Sequence, residues 1–183
     1  MRYYTINYQD VIVDSGGDWD DFALSNDGAA ATTQSILGAS LWSQISGSQT
    51  RSFLNALFFP VRDSGNPIIT RYRCDSPKKS RLFEQKITLN GDCSLTVSHE
   101  LVWKNSKNTA KILTKNGNLT NQCAQCLRVE CGNQWLETYA YSLSIPNEIQ
   151  LNYSVCPDCK EAATMAIHDA RIIAFNKNAS GRR

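Results

Sequence analysis

Leu82-Phe83-Glu84-Gln85-Lys86-Ile87-Thr88-Leu89-Asn90-Gly91-Asp92-Cys93-Ser94-Leu95-Thr96-Val97-Ser98-His99-Glu100-Leu101-Val102-Trp103 reads as two strands joined by a tight turn. Side chains alternate across a strand with a period of two, so every second residue shares a face. Phe83, Ile87 and Leu89 fall on one face of the first strand. Leu95, Val97, His99, Leu101 and Trp103 fall on one face of the second, with Thr96, Ser98 and Glu100 opposite. Asn90-Gly91-Asp92 has the residues a hairpin turn requires. An antiparallel sheet with one apolar face follows, and the rest of the chain must cover that face.

The residues before the hairpin supply the cover. Val11-Ile12-Val13 is a short β-branched run stopped by Asp14-Ser15-Gly16-Gly17. Trp19 and Phe22 follow, and then Gly28-Ala29-Ala30-Ala31-Thr32-Thr33, suited to a short helix that Gly38 ends. Leu41, Trp42 and Ile45 fit one further helical turn. Phe53, Leu54, Leu57, Phe58 and Val61 recur at helical spacing and predict a longer helix with one buried face, capped by Ser48 or Thr50. Asp63-Ser64-Gly65-Asn66-Pro67 breaks it, and Ile68 to Cys74 alternates as a third strand. The expected class is therefore α/β in the α+β sense: an antiparallel sheet with short helices on one face.

Beyond the hairpin the composition changes. Residues 104–122 are rich in Asn, Lys and Thr and read as a linker between a domain at 1–103 and a second unit at 123–183. The second unit carries two Cys-x-x-Cys pairs, Cys123/Cys126 and Cys156/Cys159, separated by 29 residues. Two intervening residues let a chain turn and aim both thiolates at one point. Two such pairs supply the four soft ligands of a tetrahedral structural zinc site. The gap exceeds usual zinc-ribbon spacing and must hold structure of its own. Trp135, Leu136, Tyr139 and Leu143 are expected to cross the site as a helix. A further helix is expected from about Lys160 to Phe175, with Met165, Ile172, Ile173 and Phe175 as an apolar surface that docks on the sheet or makes a homodimer.

The chain of 183 residues has an ordinary globular composition, 42% hydrophobic and 20% charged. It has no apolar run long enough for a membrane helix and no apolar signal core at Met1–Asn7, so a cytoplasmic location is expected, where thiols stay reduced and favour metal over disulfides. The net charge of +2 is dispersed and makes nucleic acid an unexpected partner. Arg71, Arg73 and Arg81 with Lys78 and Lys79 form the densest basic group, read as a solvated loop or an anion site.

These residues, in this order, resemble the PAS family of sensor domains. The likeness rests on Val13-Asp14, on Trp19-Asp20-Asp21-Phe22-Ala23, on Ile36-Leu37-Gly38-Ala39-Ser40-Leu41-Trp42, and on Tyr72-Arg73-Cys74-Asp75-Ser76-Pro77. The whole is similar to a bacterial group of standalone PAS-like proteins with a C-terminal module of Cys-x-x-Cys, Trp, and Cys-Pro-x-Cys, here Cys123 to Cys126, Trp135, and Cys156 to Cys159. A His-Gly usual before the second pair in that group is replaced by Tyr153-Ser154-Val155. The resemblance implies a signal-receiving protein that works by contacts. It also implies a cavity behind the sheet, and this makes His99 a candidate haem ligand; the other reading is a hydrogen-bonded core histidine.

No nucleophile triad, metalloprotease or phosphate-loop pattern is present, and the chain is not expected to be an enzyme. Three functions are carried forward. The first is a PAS-like sensor that binds a small ligand or protein partner, with a structural four-cysteine zinc site. The second is a thiol redox sensor, with Cys131 as a candidate resolving thiol; the other reading of Cys131 is a spare buried cysteine. The third is a zinc-dependent nucleic-acid-binding regulator. His168 is expected at the surface, and Cys74 and Cys93 are expected to be small buried hydrophobes.

Overall fold

The computed structural model describes residues 1–76, 78–107, 120–137 and 151–180, the side chains of 120, 151 and 176–180 excepted. The class is α+β. Five antiparallel strands, β1 (Arg2–Ile6), β2 (Ile12–Gly17), β3 (Ile68–Arg73), β4 (Lys79–Leu89) and β5 (Leu95–Ser106), form one sheet in the order β2-β1-β5-β4-β3. Between β2 and β3 lie the short helices α1 (Trp19–Leu24) and α2 (Thr33–Ile36), two single-turn 3₁₀ segments at Ala29–Ala31 and Leu41–Gln44, and the longer helix α3 (Ser48–Ser64).

The strand β1 escaped the sequence reading, and it is the centre of the sheet's N-terminal half. It pairs with β2 on one side and with β5 on the other, setting Arg2 opposite His99 and Tyr4 opposite Val97. Gly17 ends β2 with φ of 72°, and a Cβ there would lie 2.0 Å from the Met1 carbonyl oxygen, so only glycine fits.

The β4–β5 hairpin holds Ile87 opposite Val97 and Leu89 opposite Leu95. Its far end departs from strict alternation. The register shifts between Leu82 and Phe83, which pair with Trp103 and Leu101 and leave Val102 as the extra residue. A bulge of one residue reverses the facing of everything beyond it. Trp103 therefore joins Leu82's row rather than that of Phe83, and both Trp103 and Leu101 are exposed. Cys93, expected to be buried, is exposed in the turn at φ 64°.

The core forms between the sheet and α3. Leu57, Phe58 and Val61 are fully buried and pack with Ile6, Ile68, Ile87, Leu95 and Val97. Neither Ser48 nor Thr50 caps α3: Gly47 is the N-cap residue, with no side-chain bond. The helix ends at Gly65 in the left-handed region, its N–H donating to the Val61 carbonyl.

The ends of the expected linker are strand, since β5 runs to Ser106 and β6 (Thr120–Cys123) opens before the first cysteine. Residues 108–119 lie outside the described residues. A second sheet, in the order β8-β7-β6-β9, is built from β6, β7 (Val129–Cys131), β8 (Gln134–Leu136) and β9 (Leu151–Ser154). Trp135 and Leu136 thus lie on a strand, not a helix, because β7 and β8 pair as a hairpin around Gly132-Asn133. Tyr139 and Leu143 lie outside the described residues.

The helix α4 (Pro157–Ser180) closes the chain and packs on α3 and β3. It docks through small residues, with Ala163 and Ala170 buried in the main core. The buried Asn66 side chain donates to the Ala170 carbonyl at 2.9 Å. Met165, Ile172, Ile173 and Phe175, expected either to dock on the sheet or to make a homodimer, are exposed. No helix among the described residues is long and apolar enough to cross a membrane.

Candidate metal centre and the adjoining cavity

The parallel pairing of β6 with β9 creates the cysteine site. It sets Cys123 beside Ser154, so both strands run out at the same end of the small sheet, and each is followed by half of a ligand set. After Cys123 the chain turns back: the Leu127 N–H donates to the Cys123 carbonyl, and Leu127 takes φ of 60°. After β9, Cys156 stands just before Pro157, the first residue of α4, and Cys159 falls in that helix's first turn. Proline suits a helix's opening position, and the helix dipole there favours a thiolate.

The four Sγ atoms of Cys123, Cys126, Cys156 and Cys159 all lie within 4.8 Å of one another. Cys126 and Cys156 have their sulfurs 3.6 Å apart. A tetrahedral ion with Zn–S bonds of about 2.3 Å requires sulfurs roughly 3.8 Å apart. A disulfide would require about 2.05 Å, so the spacing matches a shared ion. The chemistry of the set agrees. Cys123 and Cys156 are fully buried, and the Cys156 N–H donates to Cys123 Sγ at 3.3 Å.

Hydrogen bonds from Cys126 and Cys159 hold the Cys123 thiol far below its ordinary value. The Cys123 sulfur in turn pushes Cys126 up to about 12 and raises Cys159. One negative sulfur thus suppresses ionisation of its neighbours, and a divalent cation is what allows all four to ionise together. With four protein ligands the site leaves no open position, which suits a structural role. Cys131, read as a spare buried cysteine, is instead exposed at the end of β7 and stands outside the cluster. His168 is exposed, as expected.

The supporting groups tie this site to the large sheet. Arg73, at the end of β3, takes the Gln125 carbonyl with its backbone N–H at 2.6 Å and the Cys126 carbonyl with Nη1 at 3.2 Å. Its guanidinium is ion-paired with Asp75, and Lys107 Nζ reaches the same carboxylate at 2.9 Å. Burial works against ionised Asp75, but the bonds from Arg73, the Arg81 N–H and Lys107 outweigh it and hold its pKa low. The basic group read as a solvated loop or anion site divides: Arg73 and Arg81 are buried in an internal network, while Arg71, Lys78 and Lys79 face water. On the other side, Ser154 donates to the Gln49 side-chain carbonyl at 2.7 Å, and Phe53 of α3 packs against both cores.

Between the sheet and the short helices lies a cavity of about 440 Å³. Tyr4, Trp19, Phe22, Leu54, Tyr72 and His99 are among its walls. Gln125, from the turn between Cys123 and Cys126, is another wall residue and is buried. His99 is buried on the inner face and bonds the Tyr72 hydroxyl through Nδ1 at 3.0 Å. Burial, and after it the charge of Arg2, lowers the imidazole from 6.5 to about 4, so it is neutral at pH 7. Burial likewise raises the phenols of Tyr4 and Tyr72. The hydrogen bond to Tyr72 and ring contacts with Tyr4 and Trp19 account for His99 as a wall residue.

No protein-family model matches this chain, and no curated protein matches it. The reading of the site therefore rests on its geometry.

Proposed function

We propose that this chain is a non-catalytic, PAS-like sensor protein of bacterial type, cytoplasmic, which binds a small molecule or a protein partner and carries a structural zinc ion on Cys123, Cys126, Cys156 and Cys159. The observation that carries this reading is the shared wall. Gln125, held between two zinc-ligand candidates, also lines the cavity behind the sheet. An ion that orders the turn therefore orders part of a binding pocket. The cavity volume falls within the range of small-molecule sites, about 300–1,000 Å³. His99 bonds Tyr72 through Nδ1, which leaves Nε2 as the nitrogen that would ligate a haem iron. The exposed apolar residues of α4 are the candidate contact surface for a partner or second copy.

Metal analysis with native mass spectrometry of the purified protein tests the proposal. One zinc per chain, with or without a retained organic molecule, is the expected result. A metal-free chain that takes up no zinc would remove its structural half.

A thiol redox sensor is the second reading, favoured by the 3.6 Å approach of Cys126 and Cys156. Under that reading mild peroxide releases the metal and forms a disulfide; under the first, the site is inert to it. The zinc-dependent nucleic-acid regulator gains nothing from the inward-turned Arg73 and Arg81.

A further inference from the structure

Three polar groups on the cavity wall have no partner among the described residues: the Tyr4 hydroxyl, Nε2 of His99 and the side-chain amide of Gln125. Their residues are only 8%, 7% and 6% exposed. None of these atoms is sealed into the packing, as Arg2 Nη1 and Gln85 Nε2 are, so the space they meet is the cavity they line. They arrive from separate places, Tyr4 on β1, His99 on β5 and Gln125 in the turn between Cys123 and Cys126. A hydroxyl and an amide both donate and accept, and Nε2 of a neutral imidazole does one or the other according to its tautomer. Polar groups this deeply placed are normally bonded, so three on one wall point to a guest that completes them.

The wall offers such a guest no charge to pair with. Among the described residues, the lining's one charged side chain is Arg2. Its charge is already met, since Nη2 bonds Asp18 at 2.8 Å and the guanidinium lies 3.7 Å from the centre of the Phe22 ring. Burial holds Tyr4, Tyr72, Cys74 and His99 neutral at pH 7. An ion entering here would leave water without gaining an opposite charge, which costs far more than burying a neutral polar group. The rest of the wall is aromatic, with Tyr4 and Trp19 edge to face at 5.8 Å and Tyr72 and His99 likewise at 5.5 Å. Such walls suit a flat ring.

We infer that the cavity is a site for an uncharged aromatic amide or lactam, its ring among Tyr4, Trp19 and Tyr72 and its polar edge bonded to the Tyr4 hydroxyl, His99 Nε2 and the Gln125 amide. This rests on the proposed sensor reading and names the ligand class that reading leaves open. An amide edge sets a donor beside an acceptor and carries no charge, so it answers groups of both kinds. A hydrocarbon ring leaves them unmatched, and a site with buried polar groups discriminates against a guest that cannot bond them.

The test uses the full zinc-loaded chain and three probes of similar shape: benzamide, its charged counterpart benzoate, and toluene. Calorimetry gives their affinities, and the Trp19 indole and His99 imidazole report position by NMR. Benzamide is expected to bind about tenfold tighter than either of the others, with both resonances moving. Tyr4→Phe removes a hydroxyl that bonds nothing in the protein, so it is expected to keep the parent Tm while weakening benzamide about three- to tenfold and narrowing its lead over toluene. Benzoate or toluene binding as tightly as benzamide, or a benzamide affinity untouched by Tyr4→Phe, would overturn the ligand class while leaving a small-molecule site in place. If none of the three probes moves either resonance, the small-molecule half of the sensor reading falls as well.

Discussion

Removing the metal should unfold one end of the protein while sparing the other. Among the described residues the small module has little else to hold it: its buried cluster consists of Cys123, Val155 and Cys156, with Phe53, Cys126, Trp135 and Cys159 only partly buried against it. Burying one aliphatic side chain such as Val155 is worth about 1.5–3 kcal/mol. Ion binding is worth more. With free zinc at about a thousand times its dissociation constant, linkage adds about 4 kcal/mol to the folded state. For a chain of this length, each kcal/mol moves Tm by roughly 2–4 °C, so stripping the ion should lower the module's transition by about 8–16 °C. Calorimetry with and without a chelator measures the shift, and hydrogen exchange locates it. The amides of Cys123, Leu127 and Cys156, each bonded within the cysteine turns, should lose protection, whereas those of the β4–β5 ladder should keep it. Cys123→Ser and Cys159→Ser should reproduce the effect, and Cys131→Ser, exposed and outside the cluster, should not. An unchanged transition and unchanged exchange after complete zinc removal would refute the ligand assignment.

Two further outcomes are expected. Arg73→Met leaves the buried Asp75 carboxylate with Lys107 as its remaining cationic partner and should cost about 3–5 kcal/mol; adding Asp75→Leu should restore part of the loss, and strictly additive losses in urea denaturation would show that the pair is not coupled. His99 gives a pH signature of definite sign. Its folded pKa of about 4 lies below the unfolded 6.5, so the unfolded chain binds the proton first, and stability falls as pH drops through that interval. The full loss is about 3 kcal/mol, complete below about pH 4, and should be absent from the stability–pH curve of His99→Gln. Parallel stability–pH curves for the two proteins between about pH 7 and 4 would contradict it.

Local regularities were legible in the residues themselves. The alternation of Ile87 and Leu89 against Leu95 and Val97, the turn at Asn90-Gly91, and the helical spacing of Leu54, Leu57, Phe58 and Val61 each appear as structure, because a strand or helix imposes its period on neighbours a few positions apart. The two Cys-x-x-Cys pairs were legible for the same reason: chelation by a short turn is a local property. A single extra residue at Val102 was not, since a bulge arises from the partner strand's register and redirects Trp103 without altering the pattern of its own strand. Nor was β1, a short segment whose place is set by β5, far along the chain.

What the chain's order of residues determined on its own was therefore the antiparallel hairpin, the amphipathic helix and the supply of four thiols. Only the folded molecule decided where these meet. The parallel β6–β9 contact draws the sulfurs within reach of one ion. The inward turn of Arg73 ties that site to the large sheet. Arg2, Trp19, Tyr72, Gln85, His99 and Gln125 converge on one cavity from distant parts of the chain. Periodicity acts over a few residues, but convergence depends on which surfaces bury one another, and that is settled by packing the whole chain at once.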